Sequence, residues 1–186
     1  MRVVVLLLAG WISLHAMYYN PLQLNAQTII FPKLLLLKKA PKSLLVDGRI
    51  RFCILYDPED RTVARHIVAR LQRLYPGTIE GYPFEATMLQ YDDITEDTHV
   101  SALLMLYSEH GTARAVAYAQ RHGIVTFAYD VASLQNGLLF ALGIERSTVI
   151  YLNRNALSKY KIQFSDALYQ IVRFVDENAS NSLPAE

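Results

Sequence analysis

The stretch IRFCILYDPEDRTVARHIV, residues 50–68, decides the fold. Its first seven residues form a short apolar run after the turn at Asp47-Gly48, which is typical of a strand buried on both faces. Asp57 and Pro58 then suit the N-cap and the first position of a helix, whose apolar residues recur at helical spacing as far as Leu74. The stretch therefore predicts a strand that leads directly into a helix.

Three more runs extend this pattern. Residues 82–89, 100–107 and 124–129 are predicted to be strands, and a helical pattern at 112–122 joins the last two. Pro83 places the first of these strands toward a sheet edge. Because strand–helix–strand connections produce parallel sheets covered on both faces, we predict a three-layer α/β/α sandwich with a mainly parallel, Rossmann-like sheet.

The flanking segments add a hairpin and three helices. The apolar runs at 138–144 and 148–152 enclose three polar residues and predict a C-terminal antiparallel hairpin. Asn153 is expected to cap a short helix through Tyr160. A last helix is predicted over 165–175, and a leading helix is predicted from Pro32 to Leu45.

The N-terminal residues suggest that the protein is exported. Residues 1–26 begin with the basic Arg2, continue through an apolar run and end in the small residue Ala26, which is the order of a secretory signal. An uncleaved membrane anchor is the alternative, but the run is shorter than the roughly 20 apolar residues of a spanning helix. We predict a signal peptide at 1–26, a single periplasmic domain at 27–177 and a disordered tail at 178–186.

The small net charge of the chain argues against nucleic acid as a partner. The 186 residues carry a formal net charge of +1 with scattered Lys and Arg, so we expect no nucleic-acid binding. One local basic cluster consists of Lys33, Lys38, Lys39 and Lys42. It is interpreted as the solvated face of a helix, with a membrane surface or an anionic partner as the alternative.

Catalytic signatures are absent from the sequence. It has no Gly-rich phosphate loop and no nucleophile elbow, and its histidines are far apart. The acidic loop 91–97 lacks the ligand spacing of a calcium site. Cys53 lies in an apolar strand and is expected to be a buried, unreactive thiol, with redox or interchain pairing as the alternative. We therefore predict no catalytic residue, no metal and no cofactor.

The remaining candidates follow the carboxyl ends of three predicted strands, where open parallel sheets bind ligands. Helix N-termini there would favour an anion, serine could add a hydrogen bond, and tyrosines could form flat walls. The candidate ligand-binding residues are Tyr56, Asp57, Ser108, Glu109, His110, Tyr129 and Asp130. The alternative interpretation makes the aspartate and serine helix caps and the tyrosines part of the core rim, with no ligand.

Three stretches together resemble the YfiR/HmsC-like family of bacterial periplasmic proteins. They are residues 50–57, residues 124–139 with Asp130 and Gly137, and residues 149–168. The chain departs from the family pattern in lacking the aromatic ending of the leading segment, in having Asn136 at one glycine position, and in lacking the cysteines of disulfide-bearing members.

The resemblance implies a non-enzymatic periplasmic regulator. Such a protein binds and restrains an inner-membrane signalling protein, for example a diguanylate cyclase of cyclic-di-GMP signalling or a sensor kinase. We expect the leading and final helices to form the interface, with a second copy of the chain as another candidate partner. The alternative function is a periplasmic small-ligand binding module resembling one lobe of a transport binding protein, and an unrelated enzyme ranks third.

Overall fold

A computed structural model of the protein describes residues 19–176. Residues 1–18 of the predicted signal peptide and the predicted tail at 178–186 lie outside this range. The helices are α1 (Pro21–Leu35), α2 (Arg61–Leu74), α3 (Gly111–His122), α4 (Arg154–Tyr160) and α5 (Asp166–Ile171). The strands are β1 (Leu45–Val46), β2 (Arg49–Tyr56), β3 (Thr78–Ile79), β4 (Tyr82–Gln90), β5 (Ala102–Met105), β6 (Val125–Ala128), β7 (Phe140–Ile144), β8 (Thr148–Asn153) and β9 (Val172–Val175).

The strands form one mixed sheet in the order β3-β4-β2-β5-β6-β7-β8-β9, with β1 paired to β2. Strands β4, β2, β5, β6 and β7 run parallel, as do β8 and β9. Helices α1 and α2 contact each other on one side of the sheet, while α3 and α4 contact each other and α3 packs on β6. The predicted α/β sandwich with a mainly parallel sheet is therefore confirmed.

Several local predictions are confirmed at their expected positions. The β7–β8 hairpin is antiparallel, with Ile144 opposite Thr148. Asn153 caps α4, because its side-chain oxygen accepts a hydrogen bond from the Ala156 N–H at 3.0 Å. Gly123 ends α3 with a φ of 62°, which is left-handed backbone that glycine adopts without strain.

The predicted leading helix from Pro32 to Leu45 is wrong. Helix α1 begins at Pro21, where Asn20 Oδ1 accepts a hydrogen bond from the Leu22 N–H at 2.9 Å, and it contains Pro32 in its interior. The Asn-Pro pair at the true start combines a capping side chain with a preset φ, which is the stronger start signal. Residues beyond Leu35 form turns, a short 3₁₀ helix and β1.

The predicted final helix over 165–175 is also wrong in its second half. Helix α5 ends at Ile171, and the chain continues as β9, which pairs in parallel with β8 so that Val172 lies opposite Ile150. Valine and phenylalanine favour a half-buried sheet position, and the partner strand supplies it.

Stacked aromatic rings fasten α1 to the sheet. Phe31 of α1 stacks on Phe127 at 4.5 Å between ring centroids. Phe127 also stacks on Phe52 of β2 and on Phe140 of β7, at 5.7 and 5.5 Å. All four rings are essentially inaccessible to solvent. Helix α1 is therefore part of the main core.

Among residues 19–176, no helix is long and apolar enough to cross a membrane. The first residues of α1, up to Ala26, belong to the predicted signal peptide, so cleavage after Ala26 would divide this helix. Cleavage at that position stays a prediction.

Replacement of Phe31 tests whether α1 belongs to the core. We expect Phe31→Ala to lower the free energy of unfolding by about 3–5 kcal/mol, because it opens a cavity beneath the helix. Leu22→Ala on the same helix removes a side chain that is 70% exposed and should change stability by less than about 0.5 kcal/mol. Urea unfolding followed by circular dichroism measures both, and equal stabilities would contradict the packing of α1.

Candidate functional site

The chain's own first helix fills the crevice at the carboxyl end of β6. The Tyr129 carbonyl accepts hydrogen bonds from the side-chain amides of Gln23 and Gln27, both at 2.5 Å. The Tyr129 hydroxyl accepts one from the Asn20 N–H at 2.6 Å. Tyr19 packs edge-on against the Tyr129 ring, with 4.7 Å between centroids. The place where a Rossmann-like sheet would hold a ligand is thus occupied by residues that precede Thr28.

A buried polar pair closes the same crevice. The Tyr19 hydroxyl donates a hydrogen bond to the Asp60 carboxylate, which lies between α2 and the short 3₁₀ turn before it. Burial raises the pKa of the Tyr19 hydroxyl, and burial also raises the pKa of the Asp60 carboxyl. The contact holds the start of α1 to α2.

Polar groups in the loop after β5 form hydrogen bonds with one another. Ser108 Oγ accepts a hydrogen bond from the Gly111 N–H at 2.9 Å, and the Thr112 hydroxyl donates to the Ser108 carbonyl at 3.0 Å. The ring of Tyr91 lies directly against Gly111, and its hydroxyl donates to the Leu106 carbonyl at 2.6 Å. The N-terminus of α3 is thus covered by protein, and Ser108 acts as a cap.

The other candidate ligand-binding residues are hydrogen-bonded within the protein, buried, or exposed on the surface. Asp130 Oδ1 accepts from the Ser133 N–H at 2.7 Å, which stabilises a local turn. Tyr56 is buried. Glu109 and His110 point to solvent, with side chains 71% and 96% exposed and 3.9 Å apart. Ligand binding by these residues stays a prediction, and at the Tyr129 carbonyl it would require the first residues of α1 to move.

Asp57 does not cap a helix with its side chain, contrary to the sequence-based expectation. Its carbonyl accepts a hydrogen bond from the Asp60 N–H at 2.8 Å within the 3₁₀ turn Pro58–Asp60. The α-helix begins three residues later than predicted, because this tighter turn precedes it.

Sequence analysis missed a cleft near the start of β6, at the opposite end of this strand from Tyr129, which we call the basic cleft. Its volume is about 320 Å³. It is lined by Lys38, Lys39, Ala40, His122, Gly123, Tyr160, Lys161, Ile162 and Gln163. The cleft lies where α3 and α4 end, and the segments 37–39 and 163–165 pair beside it. This pairing includes a 3.0 Å hydrogen bond from the Lys39 N–H to the Gln163 carbonyl.

Positive charge dominates the basic cleft. Three lysines and one histidine line it, and no acidic residue does. Within residues 19–176, no carboxylate pairs with Lys38, Lys39 or Lys161. Burial lowers the pKa of Lys38, because removal from water disfavours its charged form. Lys38 and Lys39 stood out in the sequence, but they follow α1 and do not form a helical face.

The sheet face beyond α1 carries a second feature, which we call the apolar strip. It comprises Ile144, Ile150, Tyr169, Val172 and Phe174. The strand register places Ile150 opposite Val172. Ile144 pairs with the residue two positions before Ile150, and Phe174 lies two residues after Val172, so all four share one face. Tyr169 stacks on Phe174 at 6.1 Å between centroids. Ile144 is 46% and Tyr169 is 36% exposed.

Chemically reactive groups are scarce. Cys53 is buried in β2, and burial raises the pKa of its thiol to about 12, as expected for an unreactive cysteine. Residues 19–176 contain no group of three or more His, Cys, Asp or Glu side chains that could hold a metal ion.

Comparison with known proteins shows a fold and no family. No protein-family model and no curated protein matches the chain. A crystal structure of a conserved domain protein from Vibrio cholerae O1 biovar El Tor strain N16961 aligns with a TM-score of 0.51 and 11% identity, over 83% of this chain. The ABC domain in complex with L-Trp from Streptococcus pneumonia aligns with a TM-score of 0.48 and 13% identity, over 74% of this chain.

This chain spans 60% and 59% of the lengths of those two chains. At 11% identity, the likeness to the Vibrio cholerae structure shows the α/β fold alone.

Substitution of Gly111 tests the cover over α3. Alanine normally stabilises a helix relative to glycine by about 0.5–1 kcal/mol. At Gly111 a Cβ would overlap the ring of Tyr91, so we expect Gly111→Ala to destabilise the protein by about 1–3 kcal/mol. Thermal and urea unfolding measure the sign of the change.

Two controls accompany this test. Ala117→Gly, at an exposed position of α3, should cost about 0.5–1 kcal/mol. In a Tyr91→Ala background, Gly111→Ala should no longer destabilise. A stabilising effect of Gly111→Ala in the wild-type background would show that Tyr91 does not cover this helix end.

Proposed function

We propose that this chain is a non-catalytic regulator that binds a partner protein through the apolar strip. The proposed partner is the periplasmic part of an inner-membrane signalling protein, such as a diguanylate cyclase or a sensor kinase. The single observation that carries the proposal is the grouping of two exposed side chains, Ile144 and Tyr169, with three partly buried ones, Ile150, Val172 and Phe174. Contiguous exposed apolar surface of this kind marks interaction sites, and tyrosine is enriched in them.

The surroundings of the apolar strip support a protein partner. Arg154 lies over the Phe174 ring, 4.6 Å from its centroid, and pairs with Asp176 at 3.8 Å. These charged groups border the apolar side chains, as in a protein interface with an apolar centre and a polar rim. Both signs of charge are present, so a partner with a mixed polar border fits better than a uniformly charged surface.

This location replaces the interface expected from the sequence. Phe31, Leu34 and Leu35 of the leading segment face the core and are buried, so they are not available to a partner. The predicted final helix contributes Tyr169, while Val172 and Phe174 contribute from β9. The proposed interface is therefore built mainly from strands β7, β8 and β9.

The engagement of the strand-end groups supports binding over catalysis. Ser108, Asp60 and Asp130 all hold local structure, and no activated nucleophile is formed among them. The proposed location is the periplasm, and it rests on the signal-like pattern of residues 1–26. The alternative, a small-ligand binding module, agrees equally with the α/β fold, but in the uncleaved chain α1 fills the strand-end position expected for its ligand.

Photocrosslinking from position 169 tests the proposal in cells of the native host. We expect a crosslink to an inner-membrane protein that has a periplasmic segment and a cytoplasmic signalling domain. Ile144→Glu should reduce this crosslink by about tenfold or more, because a charge would be buried in the interface.

Leu74→Glu is the matched control, since Leu74 is 40% exposed and lies on α2, away from the apolar strip. It should leave the crosslink unchanged. Capture of only a second copy of the chain, or equal loss in both variants, would refute the proposed partner. Recovery of the protein with the cytosol after spheroplast formation would refute its location.

A further inference from the structure

We propose that the basic cleft is a binding site for a small phosphate-bearing molecule. This inference is independent of the partner proposed above, because the cleft and the apolar strip share no residue. It rests on three lysines that meet around one cavity with no carboxylate to balance them.

Chain geometry brings these lysines together. Lys38 and Lys39 leave the end of α1, and residue 38 forms an isolated β-bridge with Phe164. Lys161 follows α4 in left-handed backbone, with a φ of 53°. The bridge therefore fixes two segments that are distant in sequence, and the left-handed turn places a third lysine at the same cavity.

The ends of two helices do not neutralise this charge. Helices α3 and α4 both end at the cleft, and each C-terminus carries about half a negative elementary charge. Two such ends offset about one of the three lysine charges, so the cleft keeps a positive excess. His122 adds no free charge, because it faces the Glu96 carboxylate at 2.9 Å, which also binds Arg121.

The form of the charge favours phosphate. Lysine ammonium groups act as compact point charges on flexible stems and commonly bind phosphate, whereas the planar fork of arginine binds both carboxylates and phosphates. No arginine lines the cleft. Partial burial of Lys38 removes water from its ammonium group, so a ligand oxygen would replace solvation that the folded chain has taken away.

Cavity size and walls limit the rest of the ligand. A volume of about 320 Å³ lies at the lower end of the range for small-molecule sites. The Tyr160 ring and Ile162 form an apolar wall, and the Tyr160 hydroxyl is already engaged with Thr126 and the Gly137 carbonyl. The cleft therefore fits a diphosphate or a compact phosphate ester.

Calorimetric titration of the protein with pyrophosphate at constant ionic strength tests the proposal. We expect saturable binding, and citrate, which carries similar charge on carboxylates, should bind at least tenfold more weakly. The double variant Lys38→Gln/Lys39→Gln should weaken pyrophosphate binding by about tenfold or more, because hydrogen bonds to charged groups are lost. Lys161→Asn should do the same, since asparagine tolerates left-handed backbone.

The matched control is Lys33→Gln/Lys42→Gln, which removes two exposed lysines from the same part of the chain but outside the cleft. It should alter binding by less than about twofold, the change expected when only distant, screened charges are removed. Lys161→Arg keeps the charge and should retain binding, which separates charge loss from misfolding. Absence of pyrophosphate binding, equal weakening by the control, or equal affinity for citrate would overturn the proposal.

Discussion

The carbonyl oxygen of Tyr129 sets the main constraint on this protein. It lies at the carboxyl end of β6, where the parallel strands end, and it accepts hydrogen bonds from both Gln23 and Gln27. Those bonds hold α1 over the sheet, and the stacking of Phe31 on Phe127 continues the attachment into the core. A position that open α/β sheets commonly leave for a ligand becomes an internal contact.

The two proposed binding sites lie on other parts of the surface. The apolar strip lies on the sheet face beyond α1, at the end of β7 and on β8, β9 and α5. The basic cleft lies toward the start of β6, because Gly123 ends α3 two residues before that strand. The two sites differ in chemistry as well as position, one being apolar with a charged border and the other basic and concave. A protein partner and a small anion could therefore be bound at the same time.

Sequence patterns sufficed where the structure depends on local signals. The buried strand β2, the β7–β8 hairpin and the glycine end of α3 follow from apolar runs and turn residues near in sequence. Strand β9 was missed because its conformation depends on pairing with β8, which no local pattern reveals. The basic cleft was missed because Lys161 lies far along the chain from Lys38. The contacts of Gln23 and Gln27 with the Tyr129 carbonyl were not predicted, because residues 1–26 were interpreted as a signal peptide.

Unfolding of two chains, one beginning at Tyr19 and the other at Gln27, tests most directly whether the first residues of α1 complete the domain. The shorter chain lacks the Tyr19–Asp60 contact and the bonds of Asn20 and Gln23 to Tyr129. At about 1 kcal/mol for each lost bond, our account predicts a decrease of about 3 kcal/mol or more in the free energy of unfolding. Equal stability of the two chains would contradict it.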